Sequence, residues 1–407
     1  MDKSNLAQCN GEGSNKIDSH LDPVHELRGG LWNILQPTSL PLSPSFHLRQ
    51  SLQSKHGDFQ LLYSPLKEAP WICEDDVTNS EVIRKVQVAS NVPYVNVWLS
   101  REKVLSRFIC RILKEGENYG RNTALADFQV RIQYRKMKSD TLTSRRVVLL
   151  CRLVERLAKF QKVSSVHVKT EESIPGNRLQ VTVCRGEEES TRVSARINIG
   201  PVKVHDGPER TEASVISQLE ESQIRMGLNR KEARRLAEAE LLYALLRTKS
   251  TSTVNIYLQK MQGDGEDSPA AVILYNRSRV ESILCRLEKC KVKGAPDWSL
   301  LSEDDWKLFW HCIAPLPSLL KESLLSARTT RASQNVIEEM NTQQSFHSLA
   351  EFLFRIAKFW SRYYSRARVL VRANPGLMNA RVELVKAFRH VFDTCLSLLG
   401  IEPLHQM

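Results

Sequence analysis

Basic and aromatic residues are concentrated near the C-terminal end of the sequence. Between residues 355 and 390, nine Lys and Arg residues stand against one acid, Glu383. The basic residues are Arg355, Lys358, Arg362, Arg366, Arg368, Arg372, Arg381, Lys386 and Arg389, and the aromatic residues among them are Phe359, Trp360, Tyr363 and Tyr364. Basic side chains bind phosphates, and aromatic rings stack on unpaired bases at about 1 to 3 kcal/mol per base. The pattern predicts a basic surface that binds RNA.

The same residues allow a second interpretation. Aromatic residues three and four apart are also typical of a helix-bundle core, with the arginines as its solvated face. Some of the four aromatic residues must be core in either case. An acid-poor helix face nevertheless favours an anionic partner, because ordinary helix surfaces mix both signs of charge.

No pattern in the sequence indicates a catalytic or metal site. The nine cysteines are widely spread and include no Cys-x-x-Cys pair, and the ten histidines are scattered. The segment "GDGED" near Gly263 is too acidic to hold a phosphate. We therefore expect no metal and no cofactor.

Composition and charge limit the class of protein. Lys and Arg exceed Asp and Glu by 58 to 46, for a net charge of +12, which favours an anionic partner such as nucleic acid. No stretch reaches the roughly 18 apolar residues of a membrane span, and the N-terminus lacks the apolar segment of a signal peptide. We expect a cytoplasmic protein that does not bind membranes.

Periodicity divides the chain into five regions. Residues 82–115 are predicted as a short strand, a strand after Pro93 and an amphipathic helix with Val104, Phe108, Ile109 and Ile112 on one face. "DFQVRIQYR" alternates as a half-buried strand, residues 144–161 repeat as a helix, "RVSARINIGPVKV" is predicted as one strand, and the chain beyond Thr211 is almost wholly helical. One helix is expected over "EDDWKLFWHCIAPLPSLLKESLLSA", and the last from Gly376 to Leu399, capped by Gly400. The regions are a flexible arm (1–30), an α+β region (31–120), a mixed α/β unit (121–205), a helical connector (206–274) and a helix bundle (275–407).

The C-terminal motifs resemble the DALR anticodon-binding domain of arginyl-tRNA synthetases. The matching positions are Ile356-Ala357, Trp360-Ser361, Tyr363-Tyr364, Arg368-Val369-Leu370, Ala380-Arg381-Val382, Leu399-Gly400-Ile401 and Met407. Upstream, "LYNRSRVESIL" is similar to the segment that opens this domain, with Tyr275, Arg279, Ser282, Ile283 and Leu284 in common. The resemblance implies a mostly α, α+β fold: a degenerate, truncated class I synthetase-like α/β unit with a Rossmann-like remnant, then an all-α DALR bundle.

Two ATP-binding motifs of that family are missing at the corresponding positions. The slot of the His-x-Gly-His turn, whose imidazoles stabilise the ATP phosphates, reads Thr141-Leu142-Thr143-Ser144. The slot of the mobile Lys-rich loop reads "DGPERTEA", in which Glu209 and Glu212 place negative charge where phosphate should bind. Only about 40 residues separate the helix end near Gln161 from Gly200, too few for a complete nucleotide fold. The chain therefore resembles noncatalytic synthetase relatives and is not expected to be an enzyme.

That resemblance implies a tRNA-binding adaptor. Its expected partners are arginine tRNA and the methyltransferase that forms 3-methylcytidine in the anticodon loop. By analogy, Tyr364, Ser361, Arg368 and Met407 are expected at the anticodon loop, and Lys358, Arg362, Arg366 and Arg372 at phosphates. Two alternatives stay open: a divergent, ATP-dependent arginyl-tRNA synthetase, and a helical scaffold that no longer binds tRNA.

Overall fold

The computed structural model of the chain describes fourteen stretches of it. They are residues 22–27, 47–50, 57–62, 82–89, 94–122, 126–135, 141–172, 174, 178–185, 193–205, 211–261, 268–288, 294–325 and 346–404.

An antiparallel sheet and a helix form the N-terminal part. The strands are β1 (His47–Gln50), β2 (Phe59–Leu62), β3 (Ile83–Val88) and β4 (Tyr94–Leu99), in the order β1-β2-β4-β3. Helix α1 (Arg101–Glu115) follows and buries Val104, Phe108 and Ile112. It ends at Gly116, whose φ of 55° suits a residue without a Cβ. The strands and helix predicted over residues 82–115 are confirmed.

Residues 22–27 differ from the flexible arm expected over residues 1–30. Residues 23–27 form a helical turn. The Ser318 hydroxyl donates a 2.6 Å hydrogen bond to the Asp22 carboxylate, and Glu26 forms ion pairs with Arg107 (2.6 Å) and Arg111 (2.7 Å) of α1. These contacts tie the turn to two parts of the fold.

A second sheet forms the mixed α/β unit. Its strands are β5 (Phe128–Tyr134), β6 (Ser165–Thr170), β7 (Arg178–Arg185) and β8 (Val193–Asn198), in the order β6-β5-β7-β8. Helix α2 (Leu142–Phe160) connects the parallel strands β5 and β6, whereas β7 and β8 pair antiparallel. Val130 and Ile132 of β5 are fully buried, as their alternation with polar residues predicts. The unit therefore contains one β-α-β crossover and a hairpin-like antiparallel pair.

The strand predicted over residues 192–204 is instead two strands. β8 ends at Asn198, and β9 (Val202–Val204) pairs in parallel with β10 (Val254–Ile256). Between them the Gly200 amide donates to the Ser250 carbonyl at 2.8 Å, and Pro201 has no amide hydrogen with which to continue a ladder. A Cβ at Gly200 would lie 2.2 Å from the Ser252 carbonyl oxygen, so glycine permits this close approach.

Helices make up most of the rest of the chain. They are α3 (Glu212–Arg225), α4 (Arg230–Leu246), the one-turn α5 (Leu258–Met261), α6 (Pro269–Glu288), α7 (Glu303–Leu308), α8 (Leu316–Leu325), α9 (Phe346–Arg366) and α10 (Pro375–Leu399). α6 packs against α4, α9 and α10, and α9 also packs against α10. In the described part of the chain, no helix is long and apolar enough to cross a membrane.

The single helix predicted over residues 303–327 is wrong. α7 continues as a π-helical turn, Phe309–Ile313, and α8 starts afresh at Leu316. Pro315 and Pro317 lack the amide hydrogens that a continuous helix would need. The last helix begins at its Asn374 cap and ends at Gly400, whose φ of 76° is left-handed, as expected.

Polar contacts join the parts of the molecule. Buried Asp58 accepts hydrogen bonds from the Leu99 amide (2.9 Å) and from Trp306 Nε1 (3.1 Å), linking the N-terminal sheet to α7. Burial raises the pKa of the Asp58 carboxyl, although Arg101 pairs with it at 3.1 Å. Arg156 of α2 lies 3.4 Å from the Leu398 carbonyl at the end of α10. The helical domain is therefore held by both sheet units.

Candidate nucleic-acid interface

Two of the four aromatic residues in the basic stretch are core residues. Trp360 is fully buried, and its ring stacks on Phe388 with centroids 5.1 Å apart. Buried Tyr363 donates a 2.6 Å hydrogen bond to Asp305 Oδ1. Burial and the adjacent Asp305 raise the pKa of Tyr363 well above its usual value, so the phenol remains a donor. For these two residues the core interpretation is confirmed.

Arg381 is also part of the core, which corrects its assignment to the basic surface. Its Nη2 forms a 3.0 Å ion pair with Asp305 Oδ2, its Nε lies 3.1 Å from Asp305 Oδ1, and its Nη1 donates to the Arg368 carbonyl at 2.8 Å. Asp305 has no exposed side-chain surface. Arg381 therefore balances a buried carboxylate and holds the start of α10 against α7.

The rest of α10 contributes little free positive charge. Lys386 pairs with Glu383 at 2.8 Å, and Arg389 lies 3.8 Å from Glu281 of α6. The acid-poor sequence overstated the basic surface, because the fold brings in carboxylates from distant segments. Basic groups of α9 and the α9–α10 connection make up the remainder.

The outer face of α9 carries a row of exposed cations. Lys358, Arg362 and Arg366 are four residues apart and therefore lie on one face of the helix. Lys358 Nζ lies 4.6 Å from the Phe354 ring centre, and Arg366, 67% exposed, approaches Asp304 only to 3.9 Å. We call Lys358, Arg362 and Arg366 the α9 cation row. Such exposed groups can exchange solvent counterions for phosphates.

A three-member stack lies where α6 meets α9. The Arg279 guanidinium is 5.0 Å from the Tyr275 ring centre and 4.2 Å from that of half-buried Tyr364. Tyr275 is 46% exposed. A guanidinium held between two tyrosine rings is pre-organised, and an exposed ring face beside it suits an unpaired base. We call Tyr275, Arg279 and Tyr364 the Tyr-Arg-Tyr stack.

Tyr275 and Arg279 were missing from the residues expected at the interface. Both residues occur in the "LYNRSRVESIL" segment, which indicated that they belong to the domain. The spacing of residues along the chain does not predict a cation-π contact between α6 and α9. Ser361 is half-buried, while Arg368 and Arg372 are exposed on the connection between α9 and α10. Met407 lies outside the described residues. The fold therefore places Tyr364 in the stack, while Lys358, Arg362 and Arg366 lie on a different face of α9.

The segment expected to replace the first ATP motif and residues 211–213 of the second meet at one cleft, whereas Glu209 lies outside the described residues. Thr141 and Thr211 form an isolated antiparallel bridge, and Arg145 Nε lies 2.8 Å from Glu212 Oε1. The cleft has a volume of about 880 Å³, and residues 400–402 also line it. The Glu212 carboxylate thus pairs with Arg145, which lies in the first turn of α2. Among the described residues, no group of three His, Cys, Asp or Glu side chains could hold a metal ion.

The C-terminal helices match a known domain family. Residues 273–407 match the model of the family described as DALR anticodon binding domain. Residues 273–407 are therefore recognised as a DALR anticodon binding domain, as the motifs predicted. The expected fold class, a small α/β part followed by a DALR helix bundle, is also confirmed.

The chain is similar to two kinds of curated protein. DALR anticodon-binding domain-containing protein 3 of Danio rerio is 26% identical over 187 residues, which cover 42% of this chain and 32% of that protein. Arginine–tRNA ligase of Clostridium perfringens is 24% identical over 176 residues, 43% of this chain and 28% of the ligase. The matches thus span a third or less of these relatives.

One solved structure has a similar fold over nearly the whole chain. Arginyl-tRNA synthetase of Plasmodium falciparum superposes with a TM-score of 0.61 at 11% identity, covering 95% of this chain and 100% of that chain. At this identity the likeness concerns the fold alone. The DALR domain, related to those of arginyl-tRNA synthetases, is what the comparisons establish.

Proposed function

We propose that the chain is a noncatalytic adaptor that binds the anticodon arm of tRNA. The observation that carries this proposal is that one DALR anticodon-binding domain presents both the Tyr-Arg-Tyr stack and, on another face of α9, the α9 cation row. The cations supply sequence-independent phosphate contacts, and the stack supplies a platform for a loop base. Together they fit an RNA loop flanked by a charged backbone.

The proposed tRNA is an arginine isoacceptor, and the proposed recipient is the cytoplasmic methyltransferase that forms 3-methylcytidine in the anticodon loop. Two things support this: the resemblance of the motifs to noncatalytic synthetase relatives, and the match to proteins named for a DALR anticodon-binding domain. An adaptor of this kind needs no catalytic residue. It needs one surface for tRNA and another for the enzyme.

The ion pair between Arg145 and Glu212 supports the absence of catalysis. Adenylate formation requires positive or neutral donors around the ATP phosphates. Here a carboxylate borders the cleft at the position of the Lys-rich loop and is paired at 2.8 Å with the arginine of α2. A phosphate entering the cleft would have to displace this carboxylate.

The first experiment measures tRNA affinity against salt concentration. The test variant combines Lys358→Gln, Arg362→Gln and Arg366→Gln. The control variant combines Lys103→Gln, Arg225→Gln and Lys231→Gln, because those three cations are exposed on other helices. At about 0.7 to 0.9 per phosphate, the log-log salt slope should fall by roughly 2 to 3 for the first triple variant only. Equal slopes for both variants would refute the interface.

The alternative function is a divergent arginyl-tRNA synthetase. Similarity to arginine–tRNA ligases and to a synthetase fold favours it. Arginine-dependent exchange between ATP and pyrophosphate by the purified chain would establish this activity and refute the adaptor proposal. A chain that neither exchanges pyrophosphate nor binds tRNA would instead be a scaffold.

A further inference from the structure

The sheet of β5 to β8 has two different faces. Val130 and Ile132 of β5 and Leu179 and Val181 of β7 are buried on one face, which α2 covers. Because side chains alternate along a strand, the residues between them point to the opposite face. Among the strand residues whose side chains the structure describes, that opposite face is entirely polar. We call it the open sheet face.

Strand register places the cations of the open sheet face in rows. His167 of β6 is in register with Arg131 of β5. The next row crosses all four strands and contains Lys169 of β6, Gln133 of β5, Gln180 of β7 and Arg196 of β8. With strands about 4.8 Å apart, this row spans roughly 14 Å.

Five basic residues on the open sheet face are exposed: Arg131, His167, Lys169, Arg178 and Arg196. Thr182, at its centre, is buried. Within the described strands this face carries no carboxylate. Glu171 follows β6 at one end, where it accepts a 2.7 Å hydrogen bond from Gln133 and lies 3.4 Å from Lys169 Nζ. The connection of β7 to β8 contains Glu187, Glu188 and Glu189 and lies outside the described residues.

We propose that the open sheet face binds the sugar-phosphate backbone of the tRNA that the DALR domain holds. This inference rests on the proposed function and adds a second contact to it. Arg and Lys side chains suit phosphates, and the Gln, Ser and Asn side chains between them suit phosphate oxygens and 2′-hydroxyls. The strands place no aromatic residue on this face, so the contact is with backbone, not with stacked bases.

A duplex stem matches the size and charge of the open sheet face. Double-stranded DNA carries about one negative charge per 1.7 Å of its axis, and an A-form RNA stem is at least as densely charged, so roughly eight or more charges pass over 14 Å. An acidic protein surface is the competing occupant. RNA is favoured because the chain already carries an anticodon-binding domain, and because a face without exposed apolar groups lacks the anchors typical of protein interfaces.

Two RNA probes separate this contact from the anticodon contact. The full-length chain is titrated with a complete arginine tRNA and with its isolated anticodon stem-loop. The variant combines Arg131→Gln and Arg196→Gln, and the control combines Lys103→Gln and Lys231→Gln, which remove the same charge from helices elsewhere. Gln already occupies strand positions of this face, and circular dichroism checks that the variants are folded.

The sheet variant should lose affinity for the complete tRNA and keep its affinity for the stem-loop. Two lost phosphate contacts lower the log-log salt slope by about 1.4 to 1.8, which at 0.1 M salt corresponds to roughly 25- to 60-fold weaker binding of the complete tRNA. Hydroxyl-radical footprinting of the wild-type complex should show protected riboses outside the anticodon arm. The sheet variant should lose that protection.

Other outcomes overturn the inference. If the sheet variant binds complete tRNA as the control does, the open sheet face does not contact RNA. If it instead loses a co-purifying protein while tRNA affinity is unchanged, the face binds protein. If the wild-type chain binds neither RNA probe, the proposed function itself fails, and the sheet inference fails with it.

Discussion

Two arginines on neighbouring helices should respond in opposite ways to loss of charge. Arg381 of α10 neutralises Asp305, whose side chain is completely buried, whereas Arg362 of α9 is exposed. Arg381→Met would leave the Asp305 carboxylate with the Tyr363 and Ser302 hydroxyls and the Ser302 amide as donors, but without a counter-charge. Removing one partner of a buried pair typically costs about 3 to 5 kcal/mol.

The assay is urea unfolding followed by tryptophan fluorescence, since Trp306 and Trp360 are both buried in the helical domain. We expect the free energy of unfolding to fall by about 3 to 5 kcal/mol for Arg381→Met and by no more than about 0.5 kcal/mol for Arg362→Gln. Salt dependence of tRNA affinity should show the reverse: a slope lower by about 0.7 to 0.9 for Arg362→Gln only.

A second substitution tests whether the unpaired Asp305 charge causes the loss of stability. Asp305→Asn in the Arg381→Met background removes the unpaired charge, so it should recover part of the lost stability. Unchanged stability of Arg381→Met together with a lower salt slope would show that Arg381 is a surface cation, and would refute the placement of the Asp305 network in the core.

Three further predictions concern other parts of the molecule. Tyr275→Ala should weaken binding of the anticodon stem-loop by about 1 to 3 kcal/mol in an equilibrium titration, whereas Tyr363→Phe should leave it unchanged. Burial raises the pKa of Glu240 to about 8, so the folded state keeps a proton that the unfolded state loses, and stability should fall as pH rises from about 4.5 to 8. Glu240→Gln should flatten that decline in urea titrations made at several pH values. Gly400→Ala should lower the melting temperature, because alanine would strain a φ of 76° and its Cβ would displace the Arg156 guanidinium.

Periodicity and local capping predicted much of the fold. The helix face of Val104, Phe108 and Ile112, the alternation of β5 and the Gly400 cap all follow from interactions between residues close in the chain. Such interactions can be recognised in any segment considered alone. Elements of this kind were predicted correctly.

Interactions between distant residues were not predictable in this way. Arg381 looked like a surface residue because its partner, Asp305, is 76 residues away. The π-helical turn after α7 and the break between β8 and β9 depend on how the chain packs, as at the close approach of Gly200 to Ser252. Charge in a sequence window therefore overstates charge at the surface whenever the fold brings in carboxylates from elsewhere.

The candidate site also combines local features with features that depend on contacts between distant residues. Lys358, Arg362 and Arg366, expected at phosphates by analogy, share one face of a helix because of their spacing, which is a local relation. The Tyr-Arg-Tyr stack joins α6 to α9 and needed the packed structure. Motif resemblance had marked Tyr275 and Arg279 as features of the domain without giving them a role.

Crosslinking of the full chain to an arginine tRNA, followed by mass spectrometry and sequencing of the crosslinked sites, tests the central claim most directly. The account predicts crosslinks that join anticodon-loop nucleotides to Tyr275 or Tyr364 and stem phosphates to the vicinity of the α9 cation row. Crosslinks confined to the acceptor end of the tRNA, or no complex at all, would contradict the claim that this DALR domain binds an anticodon arm.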